Sequence, residues 1–454
     1  MWWISAFLLA QAAPQPPARE IQQIQDVRSL PGELDKIPVF NSNSPEMVQS
    51  DGILLSTFSP QGMKVPSAHL NFTFDGRFDL FTHHVAKVKS VKAPQTMYLG
   101  LIVRNPSSRP VKILVLQAIS HMTKDAPFIS LPGTTENNRN RVYAGPGSRS
   151  SSDALRYERG LDLPVRVDLP PGETKMLAVL PIPAKALNGR TVLMRLYSNG
   201  KVNLASLAMW AKREGASKER QPTLAEWQNV LTTGSLVTPR DLAPTPPGQA
   251  VSKFIYGRVA GVAKGAEWKG TITDRPTDKS LTIPPPGKSI SYAINTLDNG
   301  TLGTNQIQSA PMVVRYPDTA YKAHGNYGII YSLTMPLSNP TPQSQRVALM
   351  LQTPLKENKL STGGLRFLNP PAKQIFFRGS VRLAYEDDKG QKQVRYFHIV
   401  QQRGQQGQPL VTLTLPPGTV RSLDVSFVYP PDATPPQVLT IQTLNSASAT
   451  KVSK

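Results

Sequence analysis

The chain has 454 residues and no cysteine, which excludes disulfides and thiolate metal sites. Its 51 Lys and Arg outnumber 30 Asp and Glu, and the net charge of +21 favours anionic partners of any kind: nucleic acid, anionic lipid, or acidic cell-wall and extracellular polymers. With 43 Pro and 31 Gly at a hydrophobic fraction of 39%, long uninterrupted helices are excluded in favour of many short strands joined by turns, in a chain long enough for two or more cores.

At the N-terminus, the short apolar run Trp2–Ala10 precedes Ala10-Gln11-Ala12. This pattern predicts a secretory signal peptide, residues 1–12, although no Lys or Arg precedes the run. A flexible Pro/Gln-rich leader, 13–29, is expected next. No later segment is long and apolar enough for a membrane helix, so the mature chain is expected to be soluble or peripherally attached to a membrane. The first β-sandwich domain is placed at 30–212. Within it Leu30–Pro45 reads as an irregular loop, and Asp75-Gly76 reads as a hairpin turn between Leu70–Phe74 and Arg77–Val85. Met97–Arg104 and Val111–Ala118 read as buried strands on either side of Asn105-Pro106-Ser107-Ser108. The polar stretch Leu131–Gly160 has room for one short helix capped by Ser152 or Asp153.

Val165–Pro183 then sets a pattern of strand, Leu-Pro-Pro-Gly turn and strand, which returns at Leu281–Asn295 and Val411–Pro430. Val192–Tyr197 and Val202–Met209 flank Asn199-Gly200 as a second expected hairpin. A helical connector and Pro-rich linker, 213–249, carries the capping box Thr223-x-x-Glu226. The second β-sandwich domain is placed at 250–445, and a disordered tail at 446–454. Ser338-Asn339-Pro340-Thr341 sits between apolar strands as Asn105-Pro106 does, each followed by a Leu-Pro-Pro-Gly unit, so the halves read as a duplicated domain or two sandwiches of one type. A hairpin is expected at Asp387-Asp388-Lys389-Gly390, and Leu423, Val425, Phe427 and Tyr429 alternate as a half-buried strand. The fold class is therefore all-β: two Ig-like β-sandwich domains of short antiparallel strands, with one or two short helices in the connectors.

Chemical motifs are sparse. There is no nucleophile elbow, zincin helix or EF-hand loop. Pro286-Gly287-Lys288-Ser289 resembles the end of a phosphate-binding loop, but Thr282 stands where that motif needs glycine and a strand follows, so it is rejected. Gly145–Ser152 offers glycines and hydroxyls ahead of a helix, with basic residues close by. Arg139, Arg141, Ser148, Arg149, Ser150 and Ser151 are the candidate anion-binding residues; the competing reading is a plain Ser/Gly loop. His83 and His84 point to opposite faces of a strand, so they cannot both ligate one metal without a bulge; a site together with His69 is conceivable, but structural histidines outnumber ligands. His121, His324 and His398 have no partner by spacing, and His398 shares a face with Val394, Tyr396 and Val400, which suggests packing. Glu386-Asp387-Asp388 reads as a solvated turn, no carboxylate pair stands out, and no metal or cofactor is expected.

One run carries a resemblance: LPGELDKIPVFNSNSPE, DGILLSTFSP and AHLNFTFDGRFDLFTHHVA, within Leu30–Ala86. It resembles a cyanobacterial family of exported proteins classed as a domain of unknown function, and the resemblance extends through LGLIVRNPSSRPV into the second half. It implies an exported protein of the periplasm, outer-membrane surface or extracellular space, and it brings no catalytic residues. The reading that follows is a non-enzymatic cell-envelope protein that binds or organises anionic cell-wall or extracellular polysaccharide, or other envelope proteins. The alternatives are a carbohydrate-active enzyme acting on such glycans and a structural subunit of a surface layer or appendage. Nucleic acid is not an expected partner, for want of a basic-aromatic motif.

Overall fold

Short strands with one apolar face can bury it only against another sheet, and the chain does this twice. The computed structural model describes residues 18–88, 95–160, 163–214, 218–249, 251–361 and 363–445. The expected signal peptide and tail lie outside the described residues. The strands that matter here are β1 (Arg19–Ile24), β2 (Asp26–Arg28), β3 (Pro38–Ser42), β4 (Phe74–Ala86), β5 (Thr96–Arg104), β6 (Val111–Met122), β7 (Arg166–Leu169), β8 (Thr174–Pro183), β9 (Asn188–Trp210) and β10 (Ala260–Lys264). They continue with β11 (Ser289–Ile294), β12 (Ile330–Ser338), β13 (Gln345–Gln352), β14 (Gly364–Asn369), β15 (Ile375–Glu386), β16 (Lys392–Gln402), β17 (Val411–Leu415), β18 (Val420–Val428) and β19 (Gln437–Thr443). The helices are α1 (Pro146–Leu155) and α2 (Leu224–Thr233).

In the first sandwich one layer runs β7-β6-β9-β4-β3-β10 and the other pairs β8, β5 and the far half of β9. Phe74, Phe78, Leu101, Val103, Val192 and Leu196 are among the residues buried between them. In the second, one layer runs β16-β15-β18-β12 and the other β2-β11-β19-β13-β17, closing on Tyr331, Leu333, Leu349, Val425, Phe427 and Ile441. Leu423, Val425, Phe427 and Tyr429 all face inward, as their alternation predicts. The Asp387–Gly390 turn joins β15 to β16, with Asp387 Oδ1 accepting from the amides of Lys389 and Gln391.

The two halves repeat one wiring. β5, β6, β7, β8 and β9 pair with one another as β12, β13, β17, β18 and β19 do in the connections β8–β5, β7–β6 and β6–β9 against β18–β12, β17–β13 and β13–β19. Each half also contains parallel pairs, among them β3–β4 in the first and β2–β11 in the second. The Asn-Pro turns match atom for atom. Asn105 Nδ2 donates to the carbonyls of Arg109, Leu169 and Pro170 at 2.7, 3.0 and 3.1 Å, and its Oδ1 accepts from Ser107 N and Oγ. Asn339 Nδ2 donates to Gln343, Leu415 and Pro416 at 2.8, 2.8 and 3.2 Å, and its Oδ1 accepts from Thr341 N and Oγ1. Each asparagine thus ties its turn to the Leu-Pro-Pro-Gly crossover of the same half.

Several expectations change. The leader 13–29 is not loose in its described part: β1 pairs with β14 and β2 joins the second sandwich. Leu30–Pro45 holds β3 and a short strand, Glu33–Leu34. Asp75-Gly76 and Asn199-Gly200 do not reverse the chain. They lie across from each other at a register shift between β4 and β9, where Ser198 pairs Gly76 and Val202 pairs Phe74. The β6 strand is buried only on alternate residues in its first half, with Leu114 and Leu116 exposed. The expected boundary at 213–249 is crossed by strand pairing: β10 joins β3, Thr134–Glu136 joins β16, and Glu33–Leu34 joins Glu267–Thr271.

Both helices are structural. Helix α2 opens on the expected box, with Thr223 Oγ1 accepting from Glu226 N while Glu226 accepts from Thr223 N. It buries Trp227 against Gly100, where a Cβ would come within 2.9 Å of the indole. Helix α1 lies between the sandwiches: Ala154 and Leu155 pack with Phe81, Ile119 and Leu193 of the first and Val428 of the second.

Candidate ligand site at the junction of the sandwiches

The structure divides the expected anion-binding residues between the interior and the surface. Pro146 pre-sets φ for a helix start, so α1 begins at Pro146 and places Ser152 and Asp153 inside it rather than at its cap. Ser148, Ser150 and Ser151 are consequently buried. Ser148 Oγ donates back to Ala144 O at 2.6 Å, and the hydroxyls of Ser150 and Ser151 have no partner. Arg149 lies over the ring of Tyr143 and donates to Asp125 O at 3.0 Å, whereas Arg139 and Arg141 are exposed. Three of the six candidates are thus interior hydroxyls, while Arg139 and Arg141 lie on the surface.

The free amides of the helix N-terminus are met by a carboxylate of the chain itself. Asp432 Oδ2 accepts from Ser148 N at 3.2 Å, as the positive end of the helix favours. A Cβ on Gly147 would fall 2.3 Å from Pro431 and 2.8 Å from Asp432 Oδ2, so this approach requires glycine. Burial pushes the Asp432 carboxyl up to about 6, against the opposing pull of Arg378 and the helix amides. His121 and Asp153, 2.6 Å apart, and His398, which accepts from Ala144 N at 3.3 Å, complete the polar seam around α1.

The open space lies elsewhere on the same junction. A cavity of about 260 Å³ is lined by Asn41, Asn43, Tyr256, Arg258, Tyr327 and Lys356, among others. Asn41 is the last residue but one of β3 and Asn43 follows two residues on, so both side chains leave the same side of the extended chain. They are 4% and 3% exposed, and both Oδ1 atoms are buried without a hydrogen-bond donor among the described residues. Lys356 Nζ donates to Tyr256 Oη at 2.8 Å and sits 4.5 Å from the ring centroid. Among the described residues no carboxylate pairs with it, and burial brings its amine down to about 8. Arg258 is paired with Glu46.

A second cavity of about 310 Å³ adjoins the first and shares Tyr256 and His324 with it. The two rings meet edge to face at 4.7 Å and form the partition. Behind it stand Phe254, Tyr321, Asp298 and Lys322. Lys322 Nζ and Asp298 Oδ1 are 2.6 Å apart, and His324 Nδ1 is 3.6 Å from Asp298 Oδ2. Burial lowers His324 to about 4, so its ring is neutral at pH 7. Among the described residues no group of three or more His, Asp or Glu could hold a metal ion.

Sequence reasoning missed this site because no spacing announces it. Its residues come from β3, from the connector ahead of β10, and from the loops that follow β11 and β13. The one local signal was the repeated asparagine of Asn41-Ser42-Asn43 directly after an apolar strand.

A family profile described as protein of unknown function (DUF3370) matches residues 25–443. No curated protein matches the chain. Among solved structures the chain is similar to Lac15 from a marine microbial metagenome, at 11% identity over 92% of this chain and 65% of that one, with a TM-score of 0.11. It is also similar to pumpkin seed globulin, at 10% identity over 88% of this chain and 87% of that one, with a TM-score of 0.09. The chain thus spans about 65% of the Lac15 structure's length. At such TM-scores neither likeness bears on what the chain does.

Proposed function

We propose that this chain, which belongs to the family of proteins of unknown function (DUF3370), is an exported, non-enzymatic cell-envelope protein that binds an anionic envelope polysaccharide in the junction cavity. The observation that carries this reading is the pairing of two buried, donorless asparagine carbonyls with an ammonium that has no carboxylate partner, all lining one cavity. A buried acceptor left without a donor costs about 1–3 kcal/mol, a cost that a ligand hydroxyl would remove. The Lys356 ammonium would take a carboxylate, and the Tyr256 and Tyr327 rings suit the apolar face of a sugar. The net charge of +21 would speed the approach of a polyanion.

A non-enzymatic role is supported by the lining itself. Among the described residues none that lines the first cavity is a carboxylate, and the nearby Asp298 and Glu46 are held by Lys322 and Arg258. The acid and base that glycoside hydrolysis uses are not assembled there. Export rests on the Trp2–Ala12 pattern.

The test is calorimetry of the full chain with alginate, a polyuronate, and with neutral dextran at low and moderate salt. The expected result is alginate binding that survives moderate salt, falls at least tenfold in Lys356→Met, and is unchanged in a triple Arg139→Ala, Arg141→Ala, Arg149→Ala variant. Equal binding to dextran, or loss in the arginine variant with Lys356→Met unaffected, would overturn it.

A further inference from the structure

The two adjoining cavities divide their chemistry as well as their space. The first holds donorless acceptors and an unpaired ammonium. In the second the charges of Asp298 and Lys322 cancel at 2.6 Å, which leaves aromatic surface. Phe254, half-buried, meets Tyr256 edge to face at 4.8 Å, and Tyr321 stands on the same wall system. The first volume, about 260 Å³, falls just below the range of roughly 300–1,000 Å³ in which drug-sized ligands bind, and the second, about 310 Å³, lies at its bottom. Either chamber therefore suits one ring rather than an oligomer, and the Tyr256–His324 pair stands between them as the wall that a linkage would have to pass.

Resting on the polysaccharide reading above, we infer that these chambers are two successive subsites for an acidic disaccharide unit. One uronate residue occupies the Asn41–Asn43–Lys356 chamber, with its carboxylate on Lys356 Nζ and its hydroxyls donating to the two asparagine carbonyls. The adjacent neutral sugar lies in the second chamber, its C–H face on Phe254. The arrangement explains why Lys322 of the second chamber is already neutralised by Asp298 whereas Lys356 of the first has no carboxylate partner among the described residues. It also gives the neutral His324 ring a place on both sides of the partition, where it adds no second positive charge to draw the carboxylate away from Lys356.

The experiment is calorimetry of the full chain with three probes: free glucuronate, a disaccharide of glucuronate linked to glucose, and alginate. The disaccharide is expected to bind at least tenfold more tightly than glucuronate. Phe254→Ala should remove that advantage while leaving glucuronate binding within twofold, and Lys356→Met should weaken both. Tyr321→Ala serves as a second variant, and thermal melts confirm that each variant is folded. Equal affinity for the two small probes, or equal weakening of both by Phe254→Ala, would overturn the second subsite. Alginate binding without binding of either small probe would overturn the two-subsite inference while leaving the polysaccharide reading intact. Loss of alginate binding as well would mean that the polysaccharide reading itself had failed.

Discussion

The asparagine clamps offer the sharpest test of the architecture. Asn105→Ala removes five contacts at once: three made by Nδ2, at 2.7 to 3.1 Å, and two accepted by Oδ1. The bond to Leu169 O is buried, so that carbonyl is left without this donor at a cost of about 1–3 kcal/mol. The other four contacts are partly solvated, and water replaces them at a smaller loss, for a total of about 3 kcal/mol, in the upper range for a point substitution. Asn339→Ala removes the same five contacts and should cost the same within about 1 kcal/mol, with the double variant additive to about 0.5 kcal/mol because the clamps share no partners. Aspartate is the diagnostic change. It keeps the acceptor but turns a second oxygen toward three carbonyls, so Asn105→Asp should cost at least as much as alanine. Urea unfolding of the full chain at pH 7, followed by the midpoint and slope, reads all of these. A cost below about 1 kcal/mol for either alanine variant, or an aspartate variant milder than alanine, would refute the reasoning.

Two further predictions concern titrating groups. Lys356, brought down to about 8 by burial, binds an anion only as the ammonium, so uronate affinity should be flat below pH 7 and fall as pH rises through 8, by at most tenfold per unit. Lys356→Arg should flatten the profile, and a wild-type profile flat from pH 6 to about 9.5 would remove Lys356 from the site. In α2, the Arg220 guanidinium, then the Thr223 amide, hold the Glu226 carboxyl down to about 2. Its folded-state value lies below its unfolded one, so its contribution is present at neutral pH and lost as pH falls from 4.5 toward 2. The stability difference between wild type and Glu226→Gln should therefore shrink over that window, and Thr223→Ala should cost about 1 kcal/mol at pH 7, both read by urea unfolding.

Features whose cause is local were legible in the sequence. The alternation from Leu423 to Tyr429, the Asp387–Gly390 turn and the Thr223 box each depend on residues a few positions apart, and each forms as read. The Asp-Gly and Asn-Gly pairs failed for a reason equally physical. A hairpin dipeptide reverses the chain only if the flanking segments pair with each other. Here Phe74–Ala86 pairs with Asn188–Val202, and the two dipeptides serve as facing irregularities where β9 passes from one layer to the other. Helix α1 was misplaced because the group that meets its N-terminus, Asp432, comes from the other half of the chain. The cavity was illegible on the same ground, since Asn41, Tyr256 and Lys356 meet only after β10 has joined β3.

The position of the cavity follows from the wiring. In the second sandwich β19 runs antiparallel to both β11 and β13, with Gln437 opposite Ile294 and Val438 opposite Gln352, while Val428 lies opposite Ile330. The end of β11, the end of β13, the end of β18 and the starts of β12 and β19 therefore share one end of the sandwich. Leu297, His324, Tyr327, Lys356 and Thr434, all lining the first cavity, belong to the loops that leave that end. The clamp occupies the other: Ser338 lies opposite Val420 and Gln345 opposite Leu415, on either side of Asn339 and its Leu-Pro-Pro-Gly partner. One end is thus tied by side-chain bonds to backbone, which leaves the loops of the opposite end to vary without loosening the sheets. Substitutions at Asn339 should then act on stability and those at Lys356 on binding, with little exchange between the two. A Lys356→Met variant that lost as much stability as Asn339→Ala would show that the cavity end also holds the sandwich together.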